Sequence, residues 1–160
     1  MSLPRGVRLG IDFGSVRLGL AASDPDGLVA TPVATLEPGD RARLVREVCE
    51  RGAAVVYVGL PRHLSGVEGT AAGSARAYAV SLAGEIEPVE VRMVDERMST
   101  VSATAAMRAA GRAGRRQRSV VDQAAAVVIL QGALDAERAT GGRAGELVPA
   151  SPDAETKTEQ

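Results

Sequence analysis

One cysteine, one histidine, no tryptophan and one lysine occur in the 160 residues of this chain. Each scarcity removes a class of explanation. A lone Cys49 excludes an internal disulfide and a cage of thiolates around a metal. A lone His63 excludes His-rich zinc centres. Phe13, Tyr57 and Tyr78 are the whole aromatic set. Single-strand binding by a row of stacked bases therefore lacks its raw material, and the core must be built from Val, Leu, Ile, Ala and Met. No apolar run reaches membrane-spanning length, and no N-terminal stretch has the basic-then-apolar pattern of a secretory signal. The expectation is a cytoplasmic protein with no membrane partner. Because Lys157 is the sole lysine, the basic side chains are nearly all Arg, a bias that genome composition alone can produce.

The near-neutral total hides a small asymmetry. Residues 1–138 carry 17 basic and 16 acidic side chains, whereas residues 139–160 carry two and four. Binding partners must therefore be read from local clusters, not from net charge.

The chain is long enough for one ordinary domain, and its apolar content argues against wholesale disorder. "VRLGIDFG" and "VRLGLAAS" read as two strands of a hairpin, and "LVATPVATL" as a third, with Pro32 suited to an edge. "GDRARLVREVCERG" reads as a helix with Asp40 as N-cap, apolar Leu44, Val45 and Val48, and Gly52 as stop. Cys49 falls late in it, as half-buried packing. "AAVVYVGLP" suits a buried parallel strand. A helix opened by Thr70, the strand "VEVRMVDER", a helix capped by Ser99 or Thr100, and a long helix opened by Ser119 complete the domain. The order predicts an α/β fold: a mixed five-stranded sheet, its first three strands antiparallel and the later ones parallel, with helices on both faces. Residues 1–138 form this domain. From Ala139 the pattern turns Gly-, Pro- and charge-rich, which predicts a disordered tail over 139–160.

Three acids stand out. Asp12 interrupts an apolar strand, with Leu9, Ile11 and Phe13 on one face and Gly10, Asp12 and Gly14 on the other. The flanking glycines leave the backbone beside the carboxylate open to approach. The alternative is a turn acceptor or a partner for Arg17. Glu96 closes the strand "VRMVDER" on the face of Val94, at the end where α/β proteins place ligands. The alternative there is a surface Asp-Glu-Arg cluster. Asp122 lies early in the last helix, where it complements the helix dipole, or is carried inward because Ala125 and Ala126 let the helix approach the sheet. Three carboxylates on separate elements, with no Cys or His cluster, suit Mg²⁺ or Mn²⁺, and through such ions the hydrolysis of a phosphodiester.

Four blocks, "GIDFGSVRLGLAASD", "VVYVGLPRHLSGVEG", "VDERMST" and "VVDQAAAVVILQ", taken in order from about Arg8 to Leu134, resemble the YqgF/RuvX family. This branch of the ribonuclease H-like fold is described as Holliday-junction resolvases or pre-16S ribosomal RNA nucleases. The resemblance implies an acidic triad at Asp12, Glu96 and Asp122, serving as both catalytic groups and metal ligands, with Mg²⁺ or Mn²⁺ as cofactor. The second block departs from the family pattern in its loop after the fourth strand: Ser65 stands where an acid or amide is usual.

Arg108, Arg112, Arg115, Arg116 and Arg118 crowd the end of one helix and the loop before Asp122, a cluster suited to a phosphate backbone. Arg17 and Arg62 are further candidate nucleic-acid contacts, Arg17 being equally placed to orient an acid, and His63 beside Arg62 reads as an exposed loop residue. The expected partner is nucleic acid, either the 5′ end of immature 16S ribosomal RNA or four-way DNA. Symmetric cutting of a junction favours a two-fold dimer, while RNA trimming needs only a monomer. Two other classes compete. A non-catalytic nucleic-acid or nucleotide binder is suggested by the likeness of "DFGSVRLG" to the phosphate loop of actin-like ATPases, but the expected second actin-like half is missing, and a binder has no need for all of Asp12, Glu96 and Asp122. A structural interaction domain leaves the spaced acids unexplained.

Overall fold

Alternation along the first strand decides the architecture. A computed structural model describes residues 3–61, 68–96 and 115–150. In it β1 (Arg8–Phe13), β2 (Leu18–Ser23) and β3 (Ala30–Leu36) form an antiparallel meander. Helix α1 (Arg41–Arg51) then leads to β4 (Val55–Leu60), α2 (Thr70–Ile86), β5 (Glu90–Asp95), α3 (Arg115–Thr140) and β6 (Glu146–Val148). The sheet order is β3-β2-β1-β4-β5-β6, with β1, β4 and β5 parallel.

The two faces of the sheet bury different helices. Leu9 and Ile11 of β1, Val56 and Val58 of β4, and Val91 and Met93 of β5 pack with Leu44 and Val48 of α1 and the Ala-rich face of α2. Val55 and Tyr57 point the other way, onto Ala126, Ile129, Leu130, Ala133 and Leu134 of α3. The central strand β4 is buried along its whole length, which is why its sequence reads as an unbroken apolar run. The predicted mixed sheet with helices on both faces is the observed one.

Local signals worked where a side chain or a backbone conformation enforces them. The Asp40 carboxylate accepts from the Arg43 amide at 3.3 Å and caps α1, and Gly52 ends that helix at φ 60°, a left-handed conformation natural to glycine. Pro32, which has no N–H to donate, lies on the edge strand β3 beside a register shift at Leu20/Ala21.

Four expectations need correction. The sheet has six strands, not five. The extra strand comes from the segment read as a disordered tail: after α3, Glu146–Val148 pairs antiparallel with β5. A three-residue strand carries too little alternation to be legible. It forms because β5 offers an open edge, because Val148 buries into the α1/α2 side of the core, and because Gly145, at φ 68°, fits tightly over the Met93 carbonyl. Arg92 reinforces the turn by donating from Nε to the Ala144 carbonyl at 2.7 Å. Residues 151–160 lie outside the described residues.

The last helix begins at Arg115, not Ser119. Arg115, Arg116 and Arg118 therefore stand in its opening turn and not in a preceding loop; arginine is a good helix former and does not end the pattern. Cys49 is exposed rather than half-buried, because it follows Val48 around the helix and away from the buried stripe. The helix expected after Ser99 or Thr100 lies outside the described residues.

Opposite the end of β1 that holds Asp12, a buried polar cluster locks α3 to the sheet. Arg8 Nε donates to Glu137 Oε1 at 3.0 Å, Arg143 Nη1 to Glu137 Oε2 at 3.0 Å, and Tyr57 Oη to Glu137 Oε2 at 2.5 Å. The Ala144 amide closes the cluster on Tyr57 Oη at 3.1 Å. Burial and the Glu137 carboxylate both push the Tyr57 phenol up, so it stays a neutral donor.

Candidate active site at the strand ends

Even-numbered residues of β1 face α3. Asp12 is the last polar residue of that series, and in the β1–β2 register it stands opposite Gly19. Val94, on the α3 side of β5, is followed two residues later by Glu96, which immediately succeeds the strand. Asp122 lies near the beginning of α3. The three acids expected from the sequence thus meet at one end of the sheet, on one face.

What brings α3 down onto that face is a floor of three glycines. A side chain at Gly10 would collide with Leu130 Cβ at 2.6 Å. One at Gly19 would fall 2.0 Å from the Asp122 carbonyl oxygen. One at Gly59 would meet Ile129 Cδ1 at 2.6 Å and Glu96 Oε1 at 2.8 Å. The space beside Asp12 that the sequence suggested was left for a ligand is, at Gly10, filled by α3 itself. Gly19 and Gly59 were not singled out beforehand. Their signal was a glycine at an inward-facing position of a strand otherwise rich in larger residues. Gln123, also missed, donates from Nε2 to Thr35 Oγ1 at 3.1 Å and ties the same turn of α3 to β3.

The electrostatics are those of crowded carboxylates. Burial, and then the charge of Asp122, raises Asp12 to about 6. Burial, then Asp12, then Asp95, raises Glu96 to about 7. Asp12 is therefore coupled to both of the others. Asp122 has a cation of its own: Arg17 Nε donates to its Oδ2 at 2.7 Å. That pair is half-exposed, with 36% of the Arg17 side chain and 24% of the Asp122 side chain accessible.

This donor set suits a hard divalent cation in kind: carboxylate oxygens whose mutual repulsion a cation relieves. Yet among the described residues no three His, Cys, Asp or Glu side chains are grouped so that they could hold a metal ion. Asp12 and Glu96 face one another electrostatically, while Asp122 is engaged by Arg17. Of the remaining expected contacts, Arg115, Arg116 and Arg118 lie in the opening turn of α3, upstream of Asp122. Arg62, Arg108 and Arg112, with His63 and Ser65, lie outside the described residues. No helix among the described residues is long and apolar enough to cross a membrane.

Comparison with known proteins gives consistent matches. A family model described as "RuvX: Holliday junction resolvase" matches residues 6–136. A protein of Nocardioides sp. named "Putative pre-16S rRNA nuclease" is 57% identical over 150 residues, covering 89% of this chain and 96% of the relative. A Thermobifida fusca protein of the same name is 51% identical over 156 residues, covering 92% and 98%. Among solved structures, that of T. thermophilus RuvC in complex with a Holliday junction substrate superimposes with a TM-score of 0.58 at 19% identity, covering 86% of this chain and 98% of that one. A second T. thermophilus RuvC structure gives 0.56 at 17% identity. At such identities the likeness is one of fold, and that fold is ribonuclease H-like.

Proposed function

The chain belongs to the RuvX family, and from that premise we propose that it is a metal-dependent nuclease that processes the 5′ end of pre-16S ribosomal RNA. The observation that carries the proposal is the meeting of Asp12, Glu96 and Asp122 at one end of the sheet, with Asp12 raised by Asp122 and Glu96 raised by Asp12. A fold has no need for a buried acid at Asp12 set against the charge of Asp122 and raising Glu96 in turn. A hydrolytic centre does. The names of relatives at 57% and 51% identity support RNA as the substrate.

Asp12 and Glu96 would hold Mg²⁺ or Mn²⁺, with Asp122 as the third carboxylate. When bound, the ion supplies Lewis-acid stabilisation of the charge that develops on a phosphodiester. The protein's own residues do the rest. The rigid ends of β1 and β5 fix Asp12 and Glu96, and the glycine floor fixes the height of α3 above them. Arg115, Arg116 and Arg118 add positive charge to the amino end of α3, whose dipole already favours anions. Together with Arg62, Arg108 and Arg112 they would bind the phosphate backbone, in a salt-dependent way. The enzyme works in the cytoplasm, and as a monomer when it trims RNA.

The test is cleavage of a labelled 5′-extended 16S precursor fragment and of a four-way DNA junction, each with Mn²⁺, with Mg²⁺ and with chelator. Wild type should cut the RNA only with metal, and Asp12→Asn should lose at least about a hundredfold in rate, as expected when a charge-stabilising group is removed. Cutting of the junction alone, by a dimer in solution, would replace RNA by branched DNA as the substrate. Cleavage by Asp12→Asn at the wild-type rate would end the metal-nuclease reading.

A further inference from the structure

At the end of β1 away from Asp12, a cleft of about 260 Å³ opens between the loop after β2 and the last turn of α3. Leu3, Arg8, Asp26, Gly27, Glu137 and Arg138 line it. Its volume is large against the ~10–15 Å³ that one water needs. The stretch of α3 from Asp122 to Glu137 separates it from the acidic site by roughly 22 Å of helical rise.

Arg8 is the buried wall of this cleft, with only 5% of its side chain accessible. Nε donates to Glu137 Oε1 at 3.0 Å, and Nη1 donates to the Gly6 and Pro25 carbonyls at 2.7 and 2.9 Å. Among the described residues no hydrogen bond engages Nη2. The sole sealed side-chain nitrogen or oxygen without a partner among the described residues is Arg41 Nε, so Arg8 Nη2 is open to solvent, and the cleft is where Arg8 meets it. Gly27, at φ 69°, keeps the guanidinium uncovered: a Cβ there would lie 2.9 Å from Arg8 Cζ.

The balance of charge points the same way. Two guanidiniums, Arg8 and Arg143, share the single carboxylate of Glu137, and Tyr57 stays a neutral donor. Among the described residues one interior positive charge therefore lacks a counter-ion of its own, which buried charges ordinarily have. The acids that line the cleft are already engaged. Glu137 serves the two arginines, and Asp26 Oδ1 accepts from Arg5 Nε at 2.7 Å. The last carbonyls of α3, which would repel an anion, are engaged too: Glu137 accepts from the Gly141 amide at 2.7 Å and Ala136 from Thr140 Oγ1 at 2.9 Å.

We propose that this cleft is a second binding site, that its ligand is a phosphate group, and that Arg8 Nη2 is the buried donor that receives a phosphate oxygen. A guanidinium edge and a phosphate form a charge-assisted hydrogen bond, and the anion supplies the missing counter-charge. The phosphate belongs either to a nucleic-acid backbone or to a small free molecule, which present the same oxygens. The site lies apart from the three acids and does not depend on the nuclease reading.

The experiment is titration of the full chain with inorganic phosphate and, separately, with a short RNA lacking terminal phosphates, in chelator and at constant ionic strength. Calorimetry gives the affinity, and amide NMR shifts at Gly27 and Gly141 give the place. Wild type, Asp12→Asn, Leu3→Trp, Leu3→Glu and Arg8→Gln are compared, and thermal melts confirm folding. At least one of the two probes should shift Gly27 and Gly141, equally in wild type and in Asp12→Asn. Leu3→Trp fills the cleft, Leu3→Glu repels an anion from it, and Arg8→Gln removes the donor. Each should weaken binding at least about tenfold, the factor that loss of a hydrogen bond to a charged group supplies. The two Leu3 variants keep the Arg8–Glu137–Arg143 cluster, so they decide the matter even where Arg8→Gln fails to fold. This pattern with RNA assigns the phosphate to a nucleic-acid backbone, and with inorganic phosphate alone to a small molecule. Absence of binding by wild type to both probes, binding that both Leu3 variants leave unchanged, or binding lost in Asp12→Asn would overturn the proposal. None of these results bears on metal-dependent cleavage, which is measured separately.

Discussion

Asp12 brings a carboxylate to a half-buried strand end beside two other acids, and burial with the charge of Asp122 raises it to about 6. Its ordinary value is 3.8, so over the interval between these values the folded protein binds more protons than the unfolded chain. Stability contributed by this group therefore falls as pH rises from about 4 to about 6 and stays low above that. Glu96 acts in the same sense over the interval from 4.5 to about 7. At the full shift the cost for Asp12 is roughly 3 kcal/mol, and partial solvation reduces it to about 1–2 kcal/mol. Metal-free Asp12→Asn should therefore be more stable than wild type at pH 7 by that amount, with the gap closing towards pH 4. Thermal melts across that range in chelator check the sign. Mn²⁺ should raise the melting temperature of wild type far more than that of Asp12→Asn, since the same repulsion that weakens the fold is what the ion relieves.

At the scale of elements, the hairpin β1–β2 and helix α3 are held together by the absence of side chains. Gly19→Ala would drive a methyl into the Asp122 carbonyl, 2.0 Å away. Backbone must then move, at a cost of about 1–3 kcal/mol, and Asp122 moves with it. Urea denaturation should show the loss, and cleavage activity should fall further than stability does. Gly73 is the opposite case. It lies in α2, and a side chain there meets nothing within 4 Å. Gly73→Ala should stabilise the protein by about 0.5–1 kcal/mol through helix propensity and a less flexible unfolded chain, and leave cleavage unchanged. The contrast separates glycines required by packing from one that is only tolerated.

For the whole molecule, the two ends of α3 have different work. Asp122 at one end belongs to the acidic site, while Glu137 at the other satisfies Arg8, Arg143 and Tyr57 in the interior. The Arg8 and Glu137 side chains are only 5% and 4% accessible. Glu137→Ala leaves two arginines without their shared carboxylate and should cost about 3–5 kcal/mol, read as a lowered urea midpoint. Because Arg143 and Ala144 lead directly into β6, the same change should loosen that edge strand first. Faster amide exchange at Glu146–Val148 than in β4 would show it.

Much of this was legible in the chain. Alternation in β1 and the apolar run of β4 determined which residues face which layer, since a period of two leaves no other arrangement for a half-buried strand. Asp40 and Gly52 bounded α1 by local hydrogen bonding and backbone conformation. Asp12, Glu96 and Asp122 stood out because an acid inside or at the end of an apolar segment conflicts with burial, and that conflict needs no neighbour to be seen. Other features depend on distance in space and had no local signature. Gly19 and Gly59 matter because of helix residues remote along the chain, Asp122 and Ile129. Arg17 could be read as a phosphate contact or as a partner for an acid, and only the folded hairpin puts its Nε on Asp122. Strand β6 is too short to announce itself and exists because β5 leaves an edge to pair. The sequence by itself determined the layers and the acids; the tertiary structure decided how closely α3 approaches and which charge meets which, because those are contacts between segments remote along the chain.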